Sequence, residues 1–300
     1  MQSLYAYSLD DEMSLADAQN LYRKRVDKSY DLFLFSLHVI MQICQFAEKD
    51  EKMRSEKYLP KAEDKEFKGV LTKNPLTQSI IRDPFLRKRV EDGKFEEWID
   101  EDLLKNLYKE FSQEEDYQSY AVRGEWKEEE HIEMLHTLLR FLKKKESFNE
   151  ILEDALPNWV DDKSLVVGAL KKTFKTLPLE EGWLRDFYPD AEKVQEFGEE
   201  LFIKVISKKE EVEDIIRPKL ENWDISRLAL VDTISLQMAI VEFLYFPTIP
   251  VKVTINEYVD ISKRYSTDKS KEFINGLLDK IKNDLVERGK IVKEGRGLRQ

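Results

Sequence analysis

From Phe197 to Leu285 the apolar residues of this chain recur at intervals of three and four, a period that only helices satisfy. Phe197, Leu201, Val205 and Ile206 make one stripe, and Val212, Ile215, Ile216 and Leu220 a second. A third starts at Ile225 and runs through Leu228, Val231, Ile234, Met238 and Val241. Ile255 to Tyr265 carries a fourth, and Phe273, Ile274, Leu277, Leu278, Ile281 and Leu285 a fifth. Connections as short as Phe246-Pro247-Thr248-Ile249-Pro250 leave each helix packed against its sequence neighbours. With only 10 Gly and 9 Pro among 300 residues and 36% charged side chains, long helices with solvated faces are expected throughout. The fold class is all-α.

The first 190 residues are less regular. Met1 to Leu9 reads as the end of an amphipathic helix, with Leu4, Tyr5 and Leu9 on one face. Ser14 with Asp17 opens a helix running to about Met53, with Leu21, Leu32, Phe35, Val39, Ile43 and Phe46 at helical spacing; Lys49 to Lys57 reads as its charged, frayed end. Prolines from Pro60 to Pro84 predict a loop-rich passage with short helices. Phe95–Phe111 and Glu128–Lys145 read as amphipathic helices, and Pro157, Pro178 and Pro189 bracket further pieces with a boundary near Pro189. No period of 20 to 50 residues signals a solenoid.

Several functions are excluded at this level. Cys44 is the only cysteine and sits in an apolar run, so neither a disulfide framework nor a thiolate metal site can form, and a reducing cytoplasmic compartment fits. The longest apolar stretch, Leu32 to Phe46, is broken by polar residues and is shorter than the roughly 20 residues of a membrane span. The amino terminus lacks the pattern of a secretory signal. A net charge of −11 argues against nucleic-acid binding over the whole surface. Yet residues 262–300 hold 11 Lys and Arg against 6 Asp and Glu, so a basic end sits on an acidic body. RNA contact is expected only there.

Four blocks in order then carry a resemblance. They are Asn222 to Asp232 (Asn-Trp-Asp-Ile-Ser-Arg-Leu-Ala-Leu-Val-Asp), Ala239 to Phe243, Ile249 to Glu257, and Lys263 to Lys280. Together they resemble the carboxy-terminal half of the NusB family closely. Phe197 to Trp223 is similar to the helices before that half, and Gln2-Ser-Leu-Tyr5 to the end of the family's first helix. The resemblance implies a NusB-like helical bundle with a large helical insertion. Residues 1–9 form a first helix with a truncated start, 10–189 an inserted region, and 190–300 an RNA- and partner-binding domain with a basic tail. Insertions of this size are tolerated when their ends lie close together, so these ends should meet. The family's first helix begins with an arginine-rich segment that grips phosphates; this chain starts after it, which implies weaker RNA binding by the chain alone.

The implied function is RNA-binding transcription antitermination without enzymatic activity or cofactor. The partners would be boxA-like single-stranded RNA, the ribosomal protein NusE and the transcription elongation complex, with no membrane. Lys263, Arg264, Tyr265, Lys269, Lys271 and Phe273 alternate cations with aromatic faces, the combination that pairs phosphates and stacks bases. Ser266, Thr267 and Asp268 could cap the following helix and leave backbone N–H groups facing a phosphate. Glu272 stands where the family often has a basic residue and Thr233 where arginine is common, which implies an RNA affinity either lower or shifted toward Lys269 and Lys271. Tyr5, Asp232 and Glu242 match the NusE-binding face, although Glu242 in an apolar helix reads equally well as a paired structural carboxylate. Gly276 within a helix reads first as a close-packing site, second as a place of backbone approach by RNA.

Rival readings are weaker. Glu128-x-x-His131 and Glu133-x-x-His136 have di-iron-like spacing, but histidines five apart diverge by about 140° around a helix and fit a surface charge cluster better. His38 reads as a core histidine. An RNA methyltransferase would need a G-x-G-x-x-G loop and a reactive cysteine, and the sequence supplies neither. The serious alternative is a helical protein-interaction scaffold with a NusB-like fold that has lost RNA binding.

Overall fold

The computed structural model describes residues 1–188, 197–220, 228–267 and 269–298, and among them every regular element is a helix. The fold is all-α. The chain divides into two compact units, one formed by Met1–Lys24 with Asp190–Gln300, the other by Arg25–Pro189.

Helix α1 spans Gln2–Leu9. Its apolar face is narrower than expected, because Leu4 is buried while Tyr5 and Leu9 are exposed. Ser14 Oγ accepts the Asp17 N–H at 3.1 Å and thereby opens α2, Leu15–Ser55. The first ten residues of α2 belong to the first unit, where Ala18 is buried; the remainder forms the spine of the second. This helix is long and apolar enough to cross a membrane, but 78% of its apolar window is buried inside the protein, so it is a core helix. Its last turns are ordered and not frayed, because their charges find partners. Arg54 Nε donates to Asp50 at 2.9 Å, and Glu51 accepts from Lys73 Nζ at 2.7 Å and Gly69 N at 2.8 Å.

Around that spine the second unit arranges α3 (Ala62–Glu66), α4 (Val70–Lys73), α5 (Pro75–Ile81), α6 (Pro84–Asp92), α7 (Glu101–Phe111), α8 (Glu115–Ala121), α9 (Glu128–Leu142), α10 (Glu146–Ala155), α11 (Trp159–Lys175) and α12 (Trp183–Asp186). Pro75 and Pro84 start helices, since a first-turn residue needs no N–H partner, and the preceding Asn74 and Asp83 accept the N–H of Thr77 and Leu86, each at 2.8 Å. The segment expected as one helix from Phe95 to Phe111 is split. A single 3₁₀ turn covers Phe95–Trp98, and Asp100 then caps α7 by accepting from Asp102 N at 2.9 Å and from Leu103 N at 3.4 Å. The opening and closing stretches of this unit meet, with Tyr188 donating its hydroxyl to Asp27 and its ring 4.9 Å from that of Tyr30.

The histidines of this unit serve packing. His131 is buried, and not part of a surface charge cluster: its Nδ1 lies 2.7 Å from the Tyr120 hydroxyl and its ring stacks on Trp126. His136 meets the Phe174 ring instead. His38 is buried with Nε2 3.1 Å from Glu96 Oε1.

The first unit is completed by α13 (Glu200–Ser207), α14 (Lys209–Ile216), α15 (Leu230–Tyr245), α16 (Val251–Tyr265) and α17 (Ser270–Glu287). Helix α15 is its axis. Residues 234–243 are all buried, with α1, α13, α14, α16 and α17 packed around them, the placement expected of a helix that is apolar over most of its circumference, with Ser235, Gln237 and Glu242 as its buried polar residues. Each of its fully buried Leu, Ile and Val side chains contributes about 1.5–3 kcal/mol. The start of this stripe at Ile225, the first six residues (Asn222 to Arg227) of the block Asn222 to Asp232, the boundary residues Pro189 and Asp190, and Asp268 lie outside the described residues. Part of the basic tail is structural: Lys293 Nζ donates to the carbonyls of Glu242 at 3.1 Å and Phe246 at 2.9 Å, closing the C-terminal end of α15.

Candidate nucleic-acid interface

The corner between α16 and α17 is built from the inside outward. Thr254, Ile255, Tyr258, Val259 and Ser262 recur at three and four and face inward from α16; Ser270, Ile274, Leu277, Leu278, Ile281 and Leu285 do the same from α17. The two helices pack on each other and on α15. That register leaves Lys263, Arg264, Tyr265, Lys269, Lys271 and Phe273 exposed around one corner, Tyr265 at 39% and Phe273 at 36%.

A buried carboxylate holds the corner. Asp232, in the first turn of α15, accepts from Ser262 Oγ at 3.0 Å and from Ser266 Oγ at 2.8 Å. Ser266 Oγ is also 2.8 Å from Ser270 Oγ, which is 2.8 Å from Thr267 Oγ1. A carboxylate only accepts, so the Ser266 proton points to Asp232. Ser266 Oγ is also the donor toward Ser270, so its one proton has two acceptors, of which the carboxylate is the stronger. These hydroxyls are committed to one another and do not cap α17, which has no side-chain cap at its first turn. Sequence reasoning missed this chain, although the spacing of Ser262, Ser266 and Ser270 at four residues is its signature.

The cations of the corner are not neutralised. None of Lys263, Arg264, Lys269 and Lys271 has a carboxylate partner among the described residues, whereas Lys219, Lys282 and Arg288 of the same unit are paired. Lys263 and Arg264 lie in the last turn of α16, where the helix dipole favours them. Lys269 and Lys271 flank the start of α17, where the same dipole opposes them by about 0.3–1 kcal/mol each. Among the described residues, fold stability gives no reason for those two positions.

Gly276 also departs from expectation. Among the described residues nothing lies within 4 Å of a Cβ placed there, so none of them requires by close packing a glycine that costs its helix up to about 1 kcal/mol relative to alanine.

The three residues matched to a partner face do not share a surface. Tyr5 is exposed at 40%, but Asp232 and Glu242 are buried and can serve such a face only through the helices they hold. Glu242 accepts from Thr254 Oγ1 at 2.9 Å and from Tyr258 OH at 2.5 Å. Burial raises its carboxyl above the ordinary range, against the lowering effect of those two hydrogen bonds, and burial beside that carboxylate raises the Tyr258 phenol well above its own. The structural reading of Glu242 is the one the geometry supports.

A helical bundle built around one buried axis, with an exposed cationic and aromatic corner, defines the class of the first unit. Residues 178–283 match the NusB family. The chain is 42% identical over 104 residues to a transcription antitermination protein NusB of Salinibacter ruber, covering 35% of this chain and 65% of that protein. It is 40% identical over 106 residues to one of Chloroherpeton thalassium (35% and 50%), and 38% identical over 98 residues to one of Bacillus pumilus (33% and 75%). The chain thus spans between half and two thirds of the first two relatives. Among solved structures, T. maritima NusB aligns at 27% identity with a TM-score of 0.27, covering 48% of this chain and 80% of that one. This chain belongs to the NusB family.

Proposed function

We propose that this chain is an RNA-binding transcription antitermination factor which binds boxA-type single-stranded RNA at the α16–α17 corner, pairs with NusE, and acts on the transcription elongation complex in the cytoplasm. The observation that carries this reading is the set of four cations without a carboxylate partner among the described residues, in a chain of net charge −11, two of them where the helix dipole opposes them. Phosphates would pair with Lys263, Arg264, Lys269 and Lys271, and unstacked bases would lie on Tyr265 and Phe273, the division of labour that single-strand binding requires. The relatives' description as transcription antitermination proteins supplies the process. Pairing with NusE would use the surface around Tyr5.

The inserted region serves as an added interaction surface without catalysis. Among the described residues no group of three or more His, Cys, Asp and Glu could hold a metal ion, and Cys44 is buried with its thiol pushed above the ordinary range by burial.

Fluorescence anisotropy with a labelled boxA-type RNA, a scrambled strand and a duplex, each with and without NusE, tests the reading. Preference for the boxA strand that strengthens with NusE is expected. A folded chain that binds neither RNA nor NusE would instead support a scaffold that has lost RNA binding.

A further inference from the structure

The inserted unit carries a groove of about 420 Å³ between the last turns of α2 and α7. Both walls follow from helical register. Phe46, Lys49, Asp50 and Met53 stand at i, i+3, i+4 and i+7 of α2, and Glu101, Lys105, Tyr108 and Lys109 at i, i+4, i+7 and i+8 of α7, so each helix lends one face. At a rise of 1.5 Å per residue these walls are each about 10–12 Å long, two turns of a third helix laid between them.

The floor is apolar and fixed. Phe46 and Tyr108 are buried with their rings stacked 6.1 Å apart, and Tyr108 donates its hydroxyl to Asp50 at 3.1 Å. Met53 lines the same groove yet is 59% exposed, which leaves a flexible apolar side chain in water beside that floor. Tyr58 and Leu59, which follow the end of α2, are exposed as well.

The charges of the groove are unequally matched. Asp50 accepts from Arg54 Nε at 2.9 Å, and Glu101 from Lys49 Nζ at 3.0 Å. Glu101 lies four residues before Lys105 and would pair with it on an isolated helix, while Glu110, next to Lys109 in sequence, is held by Lys145 Nζ at 2.6 Å. Lys105 and Lys109 therefore stand one turn apart on one wall, exposed and with no carboxylate partner among the described residues. RNA is a poor fit to this groove. Its two rings are buried, so neither offers a face to a base, and Asp50 and Glu101 would repel a chain of phosphates. An apolar stripe flanked by separate carboxylates matches both the floor and the lysines.

We propose that the groove between α2 and α7 docks an acidic amphipathic helix of a protein partner, whose apolar stripe lies over Phe46, Met53 and Tyr108 and whose carboxylates, one turn apart, pair with Lys105 and Lys109. This rests on the reading of the inserted region as an interaction surface and adds where the partner sits and what chemistry it presents.

Two labelled helical peptides with the same apolar stripe test it, one flanked by glutamates and the other by lysines, each titrated against the full chain by fluorescence anisotropy. The acidic peptide should bind and the basic one should not. Lys105→Gln together with Lys109→Gln should weaken the acidic peptide by about 2- to 30-fold, the range of two surface ion pairs, with the loss shrinking at high salt. Met53→Asp should weaken it at every salt concentration. All three positions are exposed, so both variants should melt at the parent temperature. Failure of the acidic peptide to bind the folded parent, equal binding of the two peptides, or parent-like binding by both variants overturns the proposal. So does a fall in RNA affinity on replacing the two lysines, which would assign the groove to nucleic acid. Lysine-directed cross-linking of the chain on a transcription elongation complex separates the groove from the reading beneath it. Cross-links from Lys105 or Lys109 to an acidic helix of a protein in the complex support the proposal. Cross-links from the inserted unit only through lysines elsewhere, such as Lys171 and Lys175 of α11, keep the interaction surface and overturn the groove. No cross-link from residues 25–188 removes both.

Discussion

Replacing Asp232 by alanine should destabilise the first unit by about 2–4 kcal/mol, while asparagine should cost only about 1 kcal/mol. The difference follows from the hydroxyl chain. Alanine leaves the Ser262 hydroxyl, which is fully buried, without an acceptor, a penalty of about 1–3 kcal/mol, and removes a charge-assisted bond to Ser266 as well. Ser266 is only half-buried and recovers part of its loss from water. In Asp232→Asn the amide oxygen still accepts from Ser262, and the amide nitrogen donates to Ser266. That donation leaves the Ser266 proton to Ser270, the direction the geometry already gives, while Ser270 can donate to Thr267 and Thr267, which is exposed, to water. Every hydroxyl stays satisfied, and the cost is the difference between charged and neutral hydrogen bonds. Urea titration of both variants measures the stabilities, and RNA anisotropy under conditions where each is folded reads the corner. The alanine variant should bind RNA more weakly than the asparagine variant, because the α16–α17 connection loses its anchor. Equal stabilities for the two variants, or an alanine cost below about 0.5 kcal/mol, would refute the anchoring role of Asp232.

Three further outcomes follow from the same structure. Burial holds His38, His131 and His136 below the ordinary imidazole value of 6.5, outweighing nearby carboxylates that raise them, so the unfolded chain binds more protons in this range. Stability of the second unit should be fully present above about pH 6.5 and decline as pH falls below it, seen as a falling melting temperature; a flat profile between pH 7 and 5 would contradict the assignment. Glu242→Ala should cost about 2–4 kcal/mol by stranding the buried Thr254 and Tyr258 hydroxyls, checked by urea denaturation. Lys293→Met should cost about 1–2 kcal/mol by uncapping α15 without moving the salt slope of RNA binding, because Lys293 is spent on carbonyls.

Much of the fold was legible because helical period is a local property. The stripes along α15, α16 and α17 lie in the sequence at the spacing the structure uses, and the lone Cys44 and buried His38 sit where an apolar face places them. Features set by tertiary partners were not legible. Whether Lys49 to Ser55 frays or stays helical depends on Lys73 and Gly69, some twenty residues away. The split at Asp100 turns on one side chain choosing to cap. The first unit takes α2 as far as Lys24, with Ala18 in its core, because a helix that runs from one unit into another carries no break at the crossing. In the candidate site, the exposure of the six cationic and aromatic residues follows from register. The burial of Asp232 and Glu242 needed the position of α16.

The central claim is that the four cations of the α16–α17 corner carry RNA phosphates, and salt titration measures that directly. RNA affinity of the parent and of a variant with Lys263, Arg264, Lys269 and Lys271 all replaced by alanine, measured from about 50 to 200 mM salt, gives two slopes of log affinity against log salt. Each single-strand phosphate contact contributes about 0.7 to the slope, so the variant's slope should be shallower by up to about 3, with weaker binding to every sequence tested. Parallel slopes and equal affinities for the two proteins, with the fold of the variant intact, would contradict the account.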